Sequence, residues 1–188
     1  MSLYLIAATG TARFIPIRLL YDGEAPPPPY RWVNPPGNVP GPHEPPEPGV
    51  GAVALTASGS EAKTVFTPDL QASVLFRKDA VTPRSPETTV QVRLIPIDPE
   101  TIAPVPPGAR FDSNAYRIAA LYENSRQPAT LRAPVFLVMR YAVHASTLLW
   151  SPGTPTWTPI EASGIIAGQQ LFAETDRLGI FVIVTFGR

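Results

Sequence analysis

The stretch Gly179-Ile180-Phe181-Val182-Ile183-Val184-Thr185-Phe186 decides the fold class of this 188-residue chain. It is apolar at nearly every position, which is typical of a strand covered on both faces. In residues 116–122, by contrast, apolar side chains recur at every second position, and Arg117 lies between two of them. That period of two indicates a strand with one buried face.

Turn-forming residues such as Ser151-Pro152-Gly153 separate a series of similar short segments. Many short strands at this spacing, without helical periodicity, predict an all-β fold. We expect an antiparallel β-sandwich of about ten short strands with a long proline-rich loop. The predicted strands are residues 3–8, 13–20, 51–57, 72–77, 88–95, 115–122, 135–141, 147–150, 156–160, 170–175 and 179–186.

Proline sets the expected domain organisation, because eleven of the 25 prolines fall within residues 26–48. Proline has no amide donor, so such a segment cannot enter the interior of a sheet. We therefore divide the chain into N-terminal strands of the sandwich (1–25), an extended arm or linker (26–50) and the sandwich itself (51–188). The arm is interpreted as a long ordered loop or spacer, and the alternative is a ligand for a proline-binding domain. Trp32 is expected to pin it against the sandwich through the apolar area that it buries.

Composition excludes several classes of function. Fifteen basic and fifteen acidic residues cancel and no basic run occurs, so nucleic-acid binding is not expected. Cysteine is absent, which excludes disulfides, thiolate nucleophiles and cysteine-ligated metals. The C-terminal stretch of mostly apolar residues, 179–186, has eight positions, against about 20 for a membrane-spanning helix.

The order of segments over roughly residues 70–186 resembles that of ZU5/UPA-like β-sandwich segments, which occur in metazoan receptors and adaptors and in bacterial surface proteins. The residues that carry the resemblance are Ala72-Ser73-Val74-Leu75-Phe76, Val90-Gln91-Val92-Arg93-Leu94-Ile95-Pro96, Ala133-Pro134 before Val135–Tyr141, Leu148-Leu149-Trp150 with Trp157, and Leu178-Gly179-Ile180-Phe181-Val182. Some members of that family cleave themselves at a His-Phe-Ser tripeptide near the last strand. Residues 175–181 contain neither His nor Ser, so self-cleavage is not expected here. The resemblance implies an interaction or structural module without enzymatic activity.

Aromatic residues provide the candidate ligand platform. Trp150 and Trp157 bracket a turn, and at a hairpin tip their indoles would form a flat surface for a sugar ring or a peptide, with Tyr141 nearby. We favour the other interpretation, in which one or both pack into the core of the sandwich, as Trp often does in such folds.

No set of residues predicts catalysis. His43 and His144 are isolated, and no nucleophile elbow accompanies them. The carboxylates Asp98, Glu100 and Asp112 are candidates for a glycosidase pair or for calcium, but the first two are more typical of a turn. No phosphate-binding or dinucleotide-binding motif occurs, so no cofactor and no metal site is predicted.

We therefore expect a non-enzymatic structural or protein-interaction module of a bacterial envelope or secreted protein. The alternative is a carbohydrate-binding module using Trp150 and Trp157, and a glycoside-active enzyme ranks third. The expected partner is a protein or, in the alternative, a glycan, and the expected location is extracytoplasmic or at the cell surface, with the leader outside this chain. A cytoplasmic location stays open. An apolar edge strand at residues 13–20 predicts a homodimer.

Overall fold

A computed structural model describes residues 28–37, 44–161, 164–166 and 169–187 of the chain. Within these residues the protein forms two antiparallel β-sheets and no α-helix, which confirms the all-β sandwich. The strands are β1 (Gly49–Ala54), β2 (Lys63–Phe66), β3 (Ala72–Phe76), β4 (Thr89–Ile97), β5 (Ala109–Phe111), β6 (Ala115–Tyr122), β7 (Val135–Arg140), β8 (Thr147–Ser151), β9 (Thr158–Ile160), β10 (Gly164–Ile166), β11 (Gln170–Thr175) and β12 (Gly179–Phe186), with a 3₁₀ turn at Pro99–Thr101.

The seven-stranded sheet has the order β1-β4-β6-β12-β8-β9, and β5 also pairs with β12. The five-stranded sheet has the order β10-β11-β7-β3-β2. Strand β12 is central to the larger sheet, since its first half pairs with β6, its second half with β5, and its other edge with β8. In the last of these pairs, Phe181 lies opposite Trp150.

Both faces of β12 are buried, as the sequence predicts. Phe181 and Ile183 point into the main core between the two sheets. Ile180, Val182 and Val184 belong to a second apolar cluster on the outer face of the larger sheet. Partly buried side chains around residues 97–111, together with Trp157, pack against this outer cluster, which is why the strand has no polar face.

Strands β2, β5 and β10 were not predicted, because none of them has a sequence pattern of its own. Strand β2 buries only Val65, and β5 has no fully buried residue. Each of them forms a strand because it pairs with a neighbouring strand, and not because its own residues alternate between apolar and polar. The predicted strands at residues 3–8 and 13–20, and with them the proposed dimer edge, lie outside the described residues.

Strand β1 begins at Gly49, two residues before the predicted start. A Cβ atom at Gly49 would lie 2.6 Å from the backbone oxygen of Phe66. Glycine at this position therefore lets β1 of the larger sheet approach β2 of the smaller one at the edge of the sandwich.

Among the described residues there is no helix with the length and apolar character needed to cross a bilayer.

Candidate segment-binding groove

The described part of the proline-rich arm, residues 28–37, contains no strand and lies against one end of the sandwich. Trp32 is 8% exposed, so its side chain is buried, as expected for a residue that packs the arm against the sandwich. Its ring centroid lies 4.8 Å from that of Tyr30, so the two aromatic side chains of the arm pack on each other. We call the surface beneath residues 28–34 the arm groove.

The arm groove holds the main chain of the arm through the side-chain amide of Gln71. Its Oε1 accepts a hydrogen bond from the backbone N–H of Arg31, and its Nε2 donates to the Arg31 carbonyl at 2.9 Å. The same Nε2 donates to the Tyr116 hydroxyl at 2.9 Å, and the Gln71 backbone N–H donates to Thr67 Oγ1 at 3.0 Å. Gln71 is fully buried, with its backbone bound to Thr67 and its side chain to Tyr116. Its amide is therefore already oriented for the pairing with Arg31.

Asn114 completes the recognition of the arm from the other sheet. Its Nδ2 donates to the Arg31 carbonyl at 2.7 Å, and its Oδ1 accepts from the Val33 N–H at 2.9 Å. Its own backbone N–H donates to the Tyr30 hydroxyl at 3.0 Å. Asn114 immediately precedes β6, whereas Gln71 immediately precedes β3. The arm therefore bridges the two sheets, and the groups recognised on Arg31 and Val33 are main-chain groups, which almost every residue type offers.

Arg140, the last residue of β7, forms the floor of the groove beside Pro28. It is 1% exposed, and its Nη2 donates to the Pro28 carbonyl at 2.8 Å. Within the described part of the chain, its Nε and Nη1 have no hydrogen-bond partner. Burial lowers the pKa of the guanidinium, although the nearby Tyr30, Asp69 and Tyr116 act in the opposite direction. Burial also raises the pKa of the Tyr116 and Tyr30 hydroxyls, so both stay protonated and able to donate.

Charged contacts add little to this arrangement. The Arg31 guanidinium lies 2.7 Å from Glu44 and 3.9 Å from Glu47, but both carboxylates are exposed. Exposed ion pairs contribute on the order of 0–1 kcal/mol. Asn34 Nδ2 donates to Asp98 at 2.9 Å, also at the surface. Main-chain recognition and the burial of Trp32 hold the arm, and its charges do not.

The arm also forms one wall of a cleft of about 530 Å³. The cleft brings together the three carboxylates named from the sequence, Asp98, Glu100 and Asp112. Asp112 is buried and accepts the backbone N–H groups of Val143 and His144, each at 2.7 Å, and burial raises the pKa of its carboxyl group. Its observed contacts therefore hold the turn after β7. In the described segments no group of three His, Asp or Glu residues is arranged to hold a metal ion.

The three residues of the predicted ligand platform are not brought together on one surface. Trp150 packs against the main core and donates its indole N–H to the Leu178 carbonyl at 3.1 Å. Trp157 packs against the outer apolar cluster, in edge contact with Phe111, and donates to the Ala103 carbonyl at 3.3 Å. The two indoles therefore lie on opposite faces of the larger sheet. Both are partly buried.

Tyr141 and His144 both follow strand β7. Tyr141 follows β7 and packs against the main core, and burial raises the pKa of its hydroxyl. His144 is exposed in the turn that Asp112 holds. His43 lies outside the described residues.

Sequence reasoning missed Gln71, Asn114 and Arg140. A signal existed for Arg140, which ends the strand sequence Val-Phe-Leu-Val-Met-Arg and is buried like every other residue of that strand. No comparable signal marks Gln71 or Asn114, because polar residues that precede strands are usually part of turns.

No protein-family model and no curated protein matches this chain. The function proposed below therefore rests on the geometry of the arm groove.

Proposed function

We propose that this protein is a non-enzymatic structural or protein-interaction module of a bacterial envelope or secreted protein, and that it binds an extended, proline-rich segment. The observation that carries this proposal is the pairing of Gln71 and Asn114 with the backbone of Arg31 and Val33. The resemblance to bacterial surface proteins supports the location.

The recognition chemistry suits an extended segment. Six hydrogen bonds join the groove to residues 28–33, namely Gln71 to Arg31 N–H and carbonyl, Asn114 to the Arg31 carbonyl, the Val33 N–H and the Tyr30 hydroxyl, and Arg140 to the Pro28 carbonyl. Each contributes about 0.5–1.5 kcal/mol net. Proline-rich segments are already extended when free, so they lose little entropy on binding. Main-chain bonds supply affinity, and the pocket for Trp32 supplies the preference for sequence.

The carbohydrate-binding alternative has weaker support. A sugar-binding platform needs two aromatic faces on one surface, whereas Trp150 and Trp157 pack on opposite faces of a sheet. A glycosidase would use Asp98, Glu100 or Asp112, and two of these already accept local backbone hydrogen bonds.

The test uses the full chain with its own arm weakened. The variant carrying Tyr30→Ala, Arg31→Pro and Trp32→Ala (the arm-altered chain) loses the two aromatic contacts of the arm and the backbone N–H that Gln71 accepts, and it keeps the groove. Fluorescence polarisation then measures the binding of a labelled synthetic peptide with the sequence of residues 28–37. We expect saturable binding, and at least tenfold weaker binding when Gln71→Ala and Asn114→Ala are added.

Circular dichroism shows whether each variant keeps its β-structure. Failure of the folded arm-altered chain to bind the peptide would overturn the proposal. Equal affinity with and without the groove substitutions would overturn it as well.

A further inference from the structure

We infer that three arginines on the outer face of the larger sheet bind an extended, acidic segment of a partner protein. The three are Arg93 of β4, Arg117 of β6 and Arg126 in the turn after β6, and we call this surface the arginine face. The inference goes beyond the proposed function, because the arginine face shares no residue with the arm groove.

The pairing of β4 with β6 brings the arginines together, although they are well separated in the chain. Alternate residues of both strands are buried in the main core, so Arg93 and Arg117 point to the outer face. Arg93 lies directly opposite Ala119, which makes Arg117 its diagonal neighbour at about 7 Å. Arg126 and Arg93 line the same shallow depression of about 280 Å³.

The arginine face carries an excess of positive charge. All three arginines are exposed, and among the described residues none of them forms an ion pair with a carboxylate. The depression contains one carboxylate, that of Glu123, and its Oε1 already accepts a hydrogen bond from Gln91 Nε2 at 2.9 Å. Charge complementarity therefore favours an anionic partner on this face.

The turn after β6 holds Arg126 in a backbone conformation that favours glycine. Its φ is +58°, a value that few residues with a side chain adopt. The turn is fixed, because the buried Glu87 accepts the backbone N–H groups of Asn124 and Ser125 at 2.8 and 2.9 Å. A cation thus occupies a position where backbone strain alone would select glycine, and this supports a role in binding.

The chemistry of the face favours a protein segment over an anionic polysaccharide. Guanidinium groups pair with carboxylates through two parallel hydrogen bonds. The half-buried side chains of Ile95 and Leu121 lie on the same face, and Val50, which is 62% exposed, lies opposite Arg93 on β1. These apolar groups suit the side chains of a peptide. The outward positions of strands β1, β4 and β6 contain no aromatic residue on which a sugar ring could stack.

The length of the face fits a short extended segment. Between residues 117 and 123 the chain advances about 20 Å, at about 3.4 Å per residue. An extended peptide of about seven residues has the same length. Its alternate side chains lie about 7 Å apart on one side, which matches the diagonal spacing of Arg93 and Arg117.

Fluorescence polarisation of a labelled hepta-glutamate peptide, with the full chain at low ionic strength, tests the inference. The variant Arg93→Gln with Arg117→Gln removes two charges from the arginine face. The matched control, Lys63→Gln with Lys78→Gln, removes two exposed charges elsewhere. We expect saturable binding to the wild type and to the control, and about tenfold weaker binding to the arginine variant. Added salt should weaken binding, and a hepta-glutamine peptide should not bind.

Arg126→Gly separates a role in binding from a role in the fold. Glycine adopts the same φ without strain, so we expect weaker peptide binding without a loss of thermal stability. Unchanged binding by this variant would overturn the three-arginine site.

Failure of the folded wild type to bind hepta-glutamate would overturn the inference, and so would an equal loss of binding in the two double variants. Binding of polygalacturonate or of phosphatidylglycerol vesicles in place of the peptide would overturn the assignment to an acidic protein segment. The residues of the arm groove are the same in every variant, so none of these outcomes bears on the proposed function.

Discussion

Gln71 and Arg31, which are 40 residues apart, pair through both ends of one side-chain amide and both polar groups of one peptide backbone. This is the hydrogen-bonding pattern that a neighbouring strand would offer, but a buried glutamine provides it. A segment that contains no strand is thus held through its main chain without being part of a sheet. Residues 35–48, which follow the arm, contain seven prolines. Because proline has no amide donor, much of this region cannot pair as a conventional strand.

Removing the Gln71 amide should release the arm. In Gln71→Ala the partly buried Arg31 N–H loses its acceptor, which costs about 1 kcal/mol. We expect a lower free energy of unfolding and faster proteolytic cleavage near residues 28–34, measured by urea titration and by limited proteolysis with mass spectrometry. The matched control is Gln91→Ala, which removes a partly buried hydrogen bond to Glu123, distant from the arm. Equal cleavage rates in both variants would show that Gln71 does not hold the arm.

Trp150 and Trp157 should stabilise the fold without binding sugar. Replacing a fully buried Trp with Ala costs about 3–5 kcal/mol, and for these partly buried side chains we expect about 2 kcal/mol each. Urea titration of Trp150→Ala and Trp157→Ala measures this cost. Acrylamide quenching of the wild-type emission, repeated with soluble polysaccharides, should show no protection. Protection that disappears in both variants would restore the carbohydrate-binding interpretation.

Asp112 should make the fold relatively more stable as the pH falls. Burial raises the pKa of its carboxyl group in the folded state, so the folded protein binds the proton more tightly than the unfolded chain. The cost of the buried charge is present above the folded pKa and is relieved as the pH falls through it. In Asp112→Asn the amide oxygen still accepts from Val143 and His144, but this dependence is lost. In urea titrations from pH 7 to pH 4, the free energy of unfolding of the wild type should therefore rise relative to that of Asp112→Asn. If the two free energies change with pH in the same way, Asp112 does not have a raised pKa in the folded state.

Gly49 should not tolerate a side chain, whereas Gly37 should. A Cβ at Gly49 would lie 2.6 Å from the Phe66 backbone oxygen, and the two strands would have to separate. We expect Gly49→Ala to cost about 1–3 kcal/mol in thermal or chemical denaturation. Gly37→Ala has open space around it and should be neutral. A neutral Gly49→Ala would mean that β1 and β2 do not close this edge of the sandwich.

Part of the fold could be predicted from residues close together in the chain. The two-residue period of β6 and the continuous apolar run of β12 each report on the faces of one strand, so no distant partner is needed to interpret them. Strands β5 and β10 carry three residues each and no period, so they could be recognised only beside β12 and β11. Of the candidate site, Trp32 was predicted from its place within the prolines, and Gln71 and Asn114 were not.

The sequence by itself determined the all-β class and the exclusion of the arm from the interior of a sheet, because periodicity and the missing proline amide are local properties. The tertiary structure decided what holds the arm. Gln71 and Asn114 meet Arg31 across 40 and 83 residues, and no spacing rule connects residues that the packing of two sheets brings together. It also decided the faces of Trp150 and Trp157, because the register of β8 against β9 and the second apolar cluster are products of packing.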